Sequence, residues 1–152
     1  MPEAWRIVKA KHDTTAFSGK GAAEFGGRWN SRGIAVVYVS QTKSLSALEC
    51  LLHLNPRVRF KFSAFRVQIQ DAWIEWLPAA KLPRNWRVEP PPASTRRIGD
   101  LWVREARSPV LAVPSTIIPS EVNFVLNPAH PDFKSVVIGP PEPFTFDPRL
   151  LT

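Results

Sequence analysis

The sequence holds a single cysteine, Cys50, among its 152 residues. One thiol closes no internal disulfide, so a packed core must hold the fold, and the usage suits a reducing compartment. Also absent is any run approaching the ~18 apolar residues that would span a bilayer. The opening residues, Met1–Arg6, contain no apolar segment of the kind that marks a secretory signal. A cytoplasmic location is expected. Three histidines without paired spacing and one remote cysteine give no metal-ligand pattern, so no metal is expected. There is no Walker loop and no glycine-rich strand-to-helix fingerprint, which leaves out the P-loop and Rossmann classes.

Proline is what the chain has in excess, at 16 residues, about twice the usual share. Most fall in Pro78–Pro92, Pro109–Pro131 and Pro140–Pro148, where the missing N–H and fixed φ disfavour long helices. The net charge is +7, yet the basic residues are scattered, with no run longer than Arg96-Arg97. Two readings follow: a surface that favours anionic ligands, or a basic nucleic-acid-binding module without catalysis. The length accommodates one domain, 1–152, with a real core.

Hydrophobic patterning predicts a doubly covered strand at Ile34–Ser40 and an amphipathic helix at Ser44–Leu54 with Leu45, Leu48 and Leu52 on one stripe. A second helix is predicted at Ser94–Ala106, capped by Ser94 or Thr95, with Ile98, Leu101 and Trp102 facing the core. Further strands are expected at Trp5–Ala10, Phe62–Ile69, Val110–Val113, Asn123–Leu126 and Val136–Ile138. Short strands, few helices and no regular βαβ alternation point to an α+β fold with Pro-rich loops.

Several residues could carry chemistry, and each has a bland alternative. Gly26-Gly27-Arg28-Trp29-Asn30 could bring backbone and a guanidinium fork to phosphate oxygens, or form a tight loop with exposed arginines. Glu49 sits beside the leucine stripe, aimed along the core boundary; Ser46-x-x-Glu49 also fits a capping box. Tyr38, the only tyrosine beside nine phenylalanines and six tryptophans, is either core filling or a platform for a flat ring. Ser115 reads most simply as a turn hydroxyl, and Asn123, Asn127 and His130 as turn chemistry.

Taken together, Phe17–Gly33, Ala35–Leu54, Thr95–Val103, Val113–Phe133 and Pro143–Leu150 resemble the RES-domain family across essentially the whole chain, in order. The compound signature is GGRWN, then Tyr, then ALE, then VPS followed by the Asn123–Phe133 stretch, NxxLNPxHPDF. The resemblance implies a split two-sheet core like that of ADP-ribosyltransferases, with NAD+ in the cleft. It implies a toxin of a toxin–antitoxin pair that depletes NAD+ as a glycohydrolase, or acts as a mono-ADP-ribosyltransferase on a cellular protein. The implied partner is an antitoxin with an Xre-like helix-turn-helix, through which alone nucleic acid would be met. A homodimer within that complex is one arrangement, and no membrane partner is implied. Carried over residue by residue, the functional set falls on Arg28, Tyr38, Glu49 and Ser115, with Ser120 as the other serine nearby. Trp29 and Asn30 are expected to join Arg28 and Tyr38 in contact with NAD+.

Overall fold

The computed structural model describes residues 2–152. Its strands are β1 (Glu3–Lys9), β2 (Val37–Ser40), β3 (Phe62–Gln68), β4 (Ile74–Trp76), β5 (Val110–Pro114), β6 (Val122–Leu126), β7 (Val137–Ile138) and β8 (Glu142–Phe144). They form one sheet in the order β4-β5-β6-β2-β1-β3-β7, with β8 also paired to β3. Only β4 and β5 run parallel; every other pairing is antiparallel. The strands are joined in one continuous hydrogen-bonded sheet. Its halves meet through a single register pair, Trp5 opposite Ser40, whereas β1 and β3 are paired along seven residues.

The two-residue side-chain period sorts the strands onto two faces. Ala4, Val37, Val39, Val67, Val110, Ala112, Phe124 and Leu126 fill a buried cluster on one face. The opposite face carries the helices α2 (Lys43–Leu52) and α3 (Ala93–Arg104). There, Trp5, Ile7, Phe62 and Ala64 pack with Ala47, Cys50 and Leu51 of α2. Trp29, Val36, Leu111, Val113 and Val125 pack with Trp102 and Ile98 of α3. The helix-bearing face is thus covered by one helix over each half of the sheet.

Both helices start earlier than the sequence predicted, and both rotate. The Thr42 hydroxyl accepts the Leu45 N–H at 3.0 Å, so α2 begins at Lys43 with Ser46 buried inside it. Leu45 is buried, but Leu48 and Leu52 face outward, because the helix packs through Ala47, Cys50 and Leu51 instead. In α3 neither Ser94 nor Thr95 caps. Pro92 occupies that position without a side-chain bond, and the Thr95 hydroxyl donates back to Pro92 O at 3.2 Å. The buried stripe is Thr95, Gly99 and Trp102, leaving Leu101 exposed.

Gly99 explains that rotation. A Cβ placed there would lie 1.7 Å from the Trp29 carbonyl oxygen, so only glycine lets α3 approach the 26–33 loop this closely. The predicted strand at Ile34–Ser40 shortens to Val37–Ser40 for a related reason. Ile34 is tied into that loop, its N–H donating to Ser31 O and its carbonyl accepting from the Asn30 side chain. One short helix the patterning missed, α1 (Lys20–Phe25), precedes the loop. No helix among the described residues is long and apolar enough to cross a membrane.

Candidate functional site

Glu49 projects from the middle of α2 and is met by two side chains from the sheet. Ser115, just past β5, donates from Oγ to Glu49 Oε1 at 3.0 Å. Asn123, on β6, donates from Nδ2 to the same oxygen at 2.8 Å. Among the described residues nothing donates to Oε2, so the carboxylate is pinned on one side and open on the other. The capping-box reading of Glu49 fails because Thr42 already caps α2, which leaves Glu49 free to face the sheet.

Ser115 is buried and combines two roles. Its Oγ accepts the backbone N–H groups of Ile117 and Ile118 at 3.1 and 3.2 Å, the turn chemistry its sequence suggests, while its proton goes to Glu49. Ser120 is exposed in the following turn and takes no part. Asn123 lies in the predicted strand, opposite Ser40 and Val113, and its side chain is not the turn former the sequence suggested. Asn127 does behave as expected, its Oδ1 accepting the Ala129 N–H at 3.0 Å.

Arg28 lies within electrostatic range of Glu49. Burial draws its guanidinium below the ordinary arginine range, and the nearby Glu49 carboxylate, with Tyr38 as a lesser influence, works against that shift. The guanidinium is engaged by one stretch of the Pro-rich loop. It donates to Trp86 O and Val88 O, each at 2.8 Å, and forms an ion pair with Glu89. The Arg28 side chain is 11% exposed and that of Glu89 70%.

Tyr38 supports the loop from beneath. Its hydroxyl donates to Asn30 Oδ1 at 2.6 Å and accepts the Trp29 N–H at 3.0 Å. Burial pushes this hydroxyl well above the ordinary tyrosine range, with the Trp29 N–H pulling weakly the other way. Gly27 is required here, since a Cβ would lie 2.7 Å from the Tyr38 hydroxyl oxygen. The glycine therefore brings backbone close to tyrosine, where the sequence suggested close approach to a ligand.

Trp29 and Asn30 need the same correction. Trp29 is buried in the α3 cluster, and Asn30 is fully buried with its amide donating to Ala22 O, Ser31 O and Ile34 O. Both hold the loop's shape and present no surface to a ligand. Asp100 of α3 adds a further tie, accepting from Ser31 N at 2.8 Å and Ser31 Oγ at 2.5 Å. Sequence reasoning gave no role to Ser40, Asp100 or Glu89 and read the Asn123 side chain as turn chemistry; an asparagine inside an otherwise apolar strand was the one local signal. Among the described residues no group of three or more His, Cys, Asp or Glu could hold a metal ion.

Fold and site together define a mixed α/β domain with an open carboxylate on its helix-bearing face and a half-buried arginine in the loop that packs there. Residues 3–147 match the RES domain family model, and the chain belongs to that family. It is 39% identical to a protein called Toxin Res from Yersinia enterocolitica, over 96% of this chain and 97% of that one. A Sphingobium protein called Prs ADP-ribosylating toxin is 34% identical, over 97% of this chain and 95% of its own length. Among solved structures, a chain in the crystal structure of the M. tuberculosis MbcT–MbcA toxin–antitoxin complex superposes with a TM-score of 0.73 at 16% identity. That superposition covers 98% of this chain and 86% of that one, and it bears on the fold alone.

Proposed function

We propose that this chain is the toxin of a bacterial toxin–antitoxin pair and consumes NAD+ by cutting the nicotinamide–ribose bond. The observation that carries the reading is the Glu49 carboxylate, held at Oε1 by Ser115 and Asn123 and open at Oε2, within electrostatic reach of Arg28. The names of the relatives support the toxin assignment, and the Sphingobium name supports chemistry on an ADP-ribosyl group.

Breaking the bond between C1′ of the ribose and the nicotinamide nitrogen leaves an oxocarbenium-like sugar, as in glycoside hydrolysis. The bonding electron pair departs with nicotinamide, which is cationic when attached and neutral when free. No general acid is needed, so one carboxylate suffices. Glu49 Oε2 receives the ribose hydroxyls and offsets the growing positive charge. Water then bonds to C1′ and loses a proton, giving ADP-ribose. No metal takes part.

Arg28 grips the pyrophosphate, for which a guanidinium fork is well shaped. The loop ligands Trp86 O, Val88 O and Glu89 occupy that fork, so NAD+ binding exchanges the Glu89 carboxylate for phosphate oxygens. Tyr38, its hydroxyl committed to the loop, offers nicotinamide only the open part of its ring. The sheet halves joined at one residue pair support an ADP-ribosyltransferase-like cleft. The partner of this reading is an antitoxin with an Xre-like helix-turn-helix.

Transfer of ADP-ribose to a protein is the second reading, favoured by the Sphingobium relative's name. Incubating the purified chain and a cell lysate with NAD+ labelled in the adenosine half separates the two. Label in free ADP-ribose is the expected result and identifies a glycohydrolase. Label on protein identifies the transferase, and intact NAD+ overturns both.

A further inference from the structure

Asn123 and Ser40 lie directly opposite one another on β6 and β2, on the face that carries the helices. The Ser40 hydroxyl and the Asn123 Oδ1 are 2.7 Å apart, and Ser40 is buried. On its other side Asn123 meets Glu49 through Nδ2. The proton positions in this chain are dictated by chemistry. An ionised carboxylate can only accept, so the amide must turn its NH2 toward Glu49 and its oxygen toward Ser40. Ser40 must then donate. Ser115 is equally constrained, because two backbone N–H groups occupy its lone pairs and its one proton can go only to Glu49.

Both donors converge on Oε1, and this fixes more than a distance. A carboxylate held at a single point can rotate about its last bond and offer either oxygen. Held by Ser115 from the β5 side and Asn123 from β6, it keeps one oxygen saturated and presents the other. Strand β6, the residue directly after β5 and a helix thus define which atom of Glu49 faces the open side.

Resting on the functional reading above, we infer that Asn123 is a positioning residue for Glu49, oriented by Ser40, and that this relay selects Oε2 as the oxygen that meets the ribose. Asn123 itself touches no reacting atom. Its loss lowers kcat and leaves KM nearly unchanged, because the phosphate grip of Arg28 does not pass through it.

The test compares Asn123→Asp with Asn123→Ala, alongside Ser40→Ala and Ser40→Thr, in purified folded protein assayed for nicotinamide release. Asp matches Asn in shape but replaces the donor with an oxygen aimed at Glu49. The expected order of kcat is wild type above Asn123→Ala above Asn123→Asp. Asn123→Ala should lose roughly ten- to a hundredfold, the scale of removing an outer hydrogen-bond partner of a functional group. Ser40→Ala should lose less, and Ser40→Thr, which keeps the donor, should restore it. A packing role predicts the reverse order, with the isosteric Asp the milder change, and that result overturns the inference.

Glu49→Gln keeps the two failures apart. If Glu49→Gln is inactive while Asn123→Asp works at the wild-type rate, the positioning role falls and the functional reading stands. If Glu49→Gln retains full activity, the functional reading falls, and the relay's part in it falls too. Melting temperatures identify any variant that fails to fold, and the Ser40 pair then decides the matter.

Discussion

The acid and the arginine of this site are held in opposite ways. Glu49 sits on a helix and is gripped by one side chain from strand β6 and one from the residue that directly follows the adjacent strand β5. Arg28 sits in a loop and is gripped by a second loop, through two backbone carbonyls and one largely exposed carboxylate. The first arrangement is rigid and preorganised; the second can be exchanged. A site that must keep one charge fixed for chemistry and free another for substrate would be built in this way.

The comparison breaks most severely at Glu49. Glu49→Gln should lower the rate of nicotinamide release by ~10²–10³, about 2.7–4 kcal/mol of transition-state stabilisation. Its melting temperature should stay near wild type, since Gln can still accept from Ser115 and Asn123. A loss of fold in place of a loss of rate would show that the carboxylate is structural.

Gly99→Ala attacks the other half from behind. The new Cβ would overlap the Trp29 carbonyl, pushing α3 away from the loop that carries Arg28. Overpacking of this kind costs about 1–3 kcal/mol, measurable by denaturant unfolding, and KM for NAD+ should rise with it. Wild-type stability in Gly99→Ala would mean the helix can step aside freely.

Glu89→Ala should act in the opposite direction. Removing the carboxylate that competes with phosphate should lower KM for NAD+, by up to roughly fivefold, because an exposed ion pair is worth about 0–1 kcal/mol. A raised KM would mean that Glu89 supports the site and does not mask it.

Tyr38 gives the smallest effect and the cleanest signal, since no other tyrosine is present. Its hydroxyl is raised by burial, so the folded state favours the neutral form. The resulting stability is complete below the ordinary tyrosine value of about 10 and declines as pH rises past it. Phenolate absorbance should therefore stay absent in native protein at pH values where free tyrosine ionises, and emerge together with alkaline unfolding. Phenolate in the intact fold near the ordinary value would show the ring to be freely solvated.

What the sequence revealed, and what it hid, follows the same division. Val110–Pro114 was legible because burial on both faces forces a continuous apolar run, and Phe62–Gln68 because buried Phe65 and Val67 alternate with exposed Arg66 and Gln68. The short edge strands Ile74–Trp76 and Glu142–Phe144 were not, being only three residues long, the second with Pro143 inside it. Arg28, Tyr38, Glu49 and Ser115 were singled out by resemblance to a family, since each taken alone had an ordinary explanation. The capping-box pattern at Ser46 and Glu49 was a coincidence of spacing, exposed once Thr42 proved to be the cap. Asn123 was misjudged because its partners, Ser40 and Glu49, lie 83 and 74 residues away, and no local pattern encodes such contacts. The grip of Glu89 on Arg28 was hidden for the same reason.

The most direct measurement is the release of nicotinamide from NAD+ by the purified chain, with wild type, Glu49→Gln and Arg28→Ala assayed side by side. Wild type should release it, Glu49→Gln should lose rate at saturating NAD+, and Arg28→Ala should lose mainly affinity. Equal release by wild type and folded Glu49→Gln, or none from any of the three, would contradict the account.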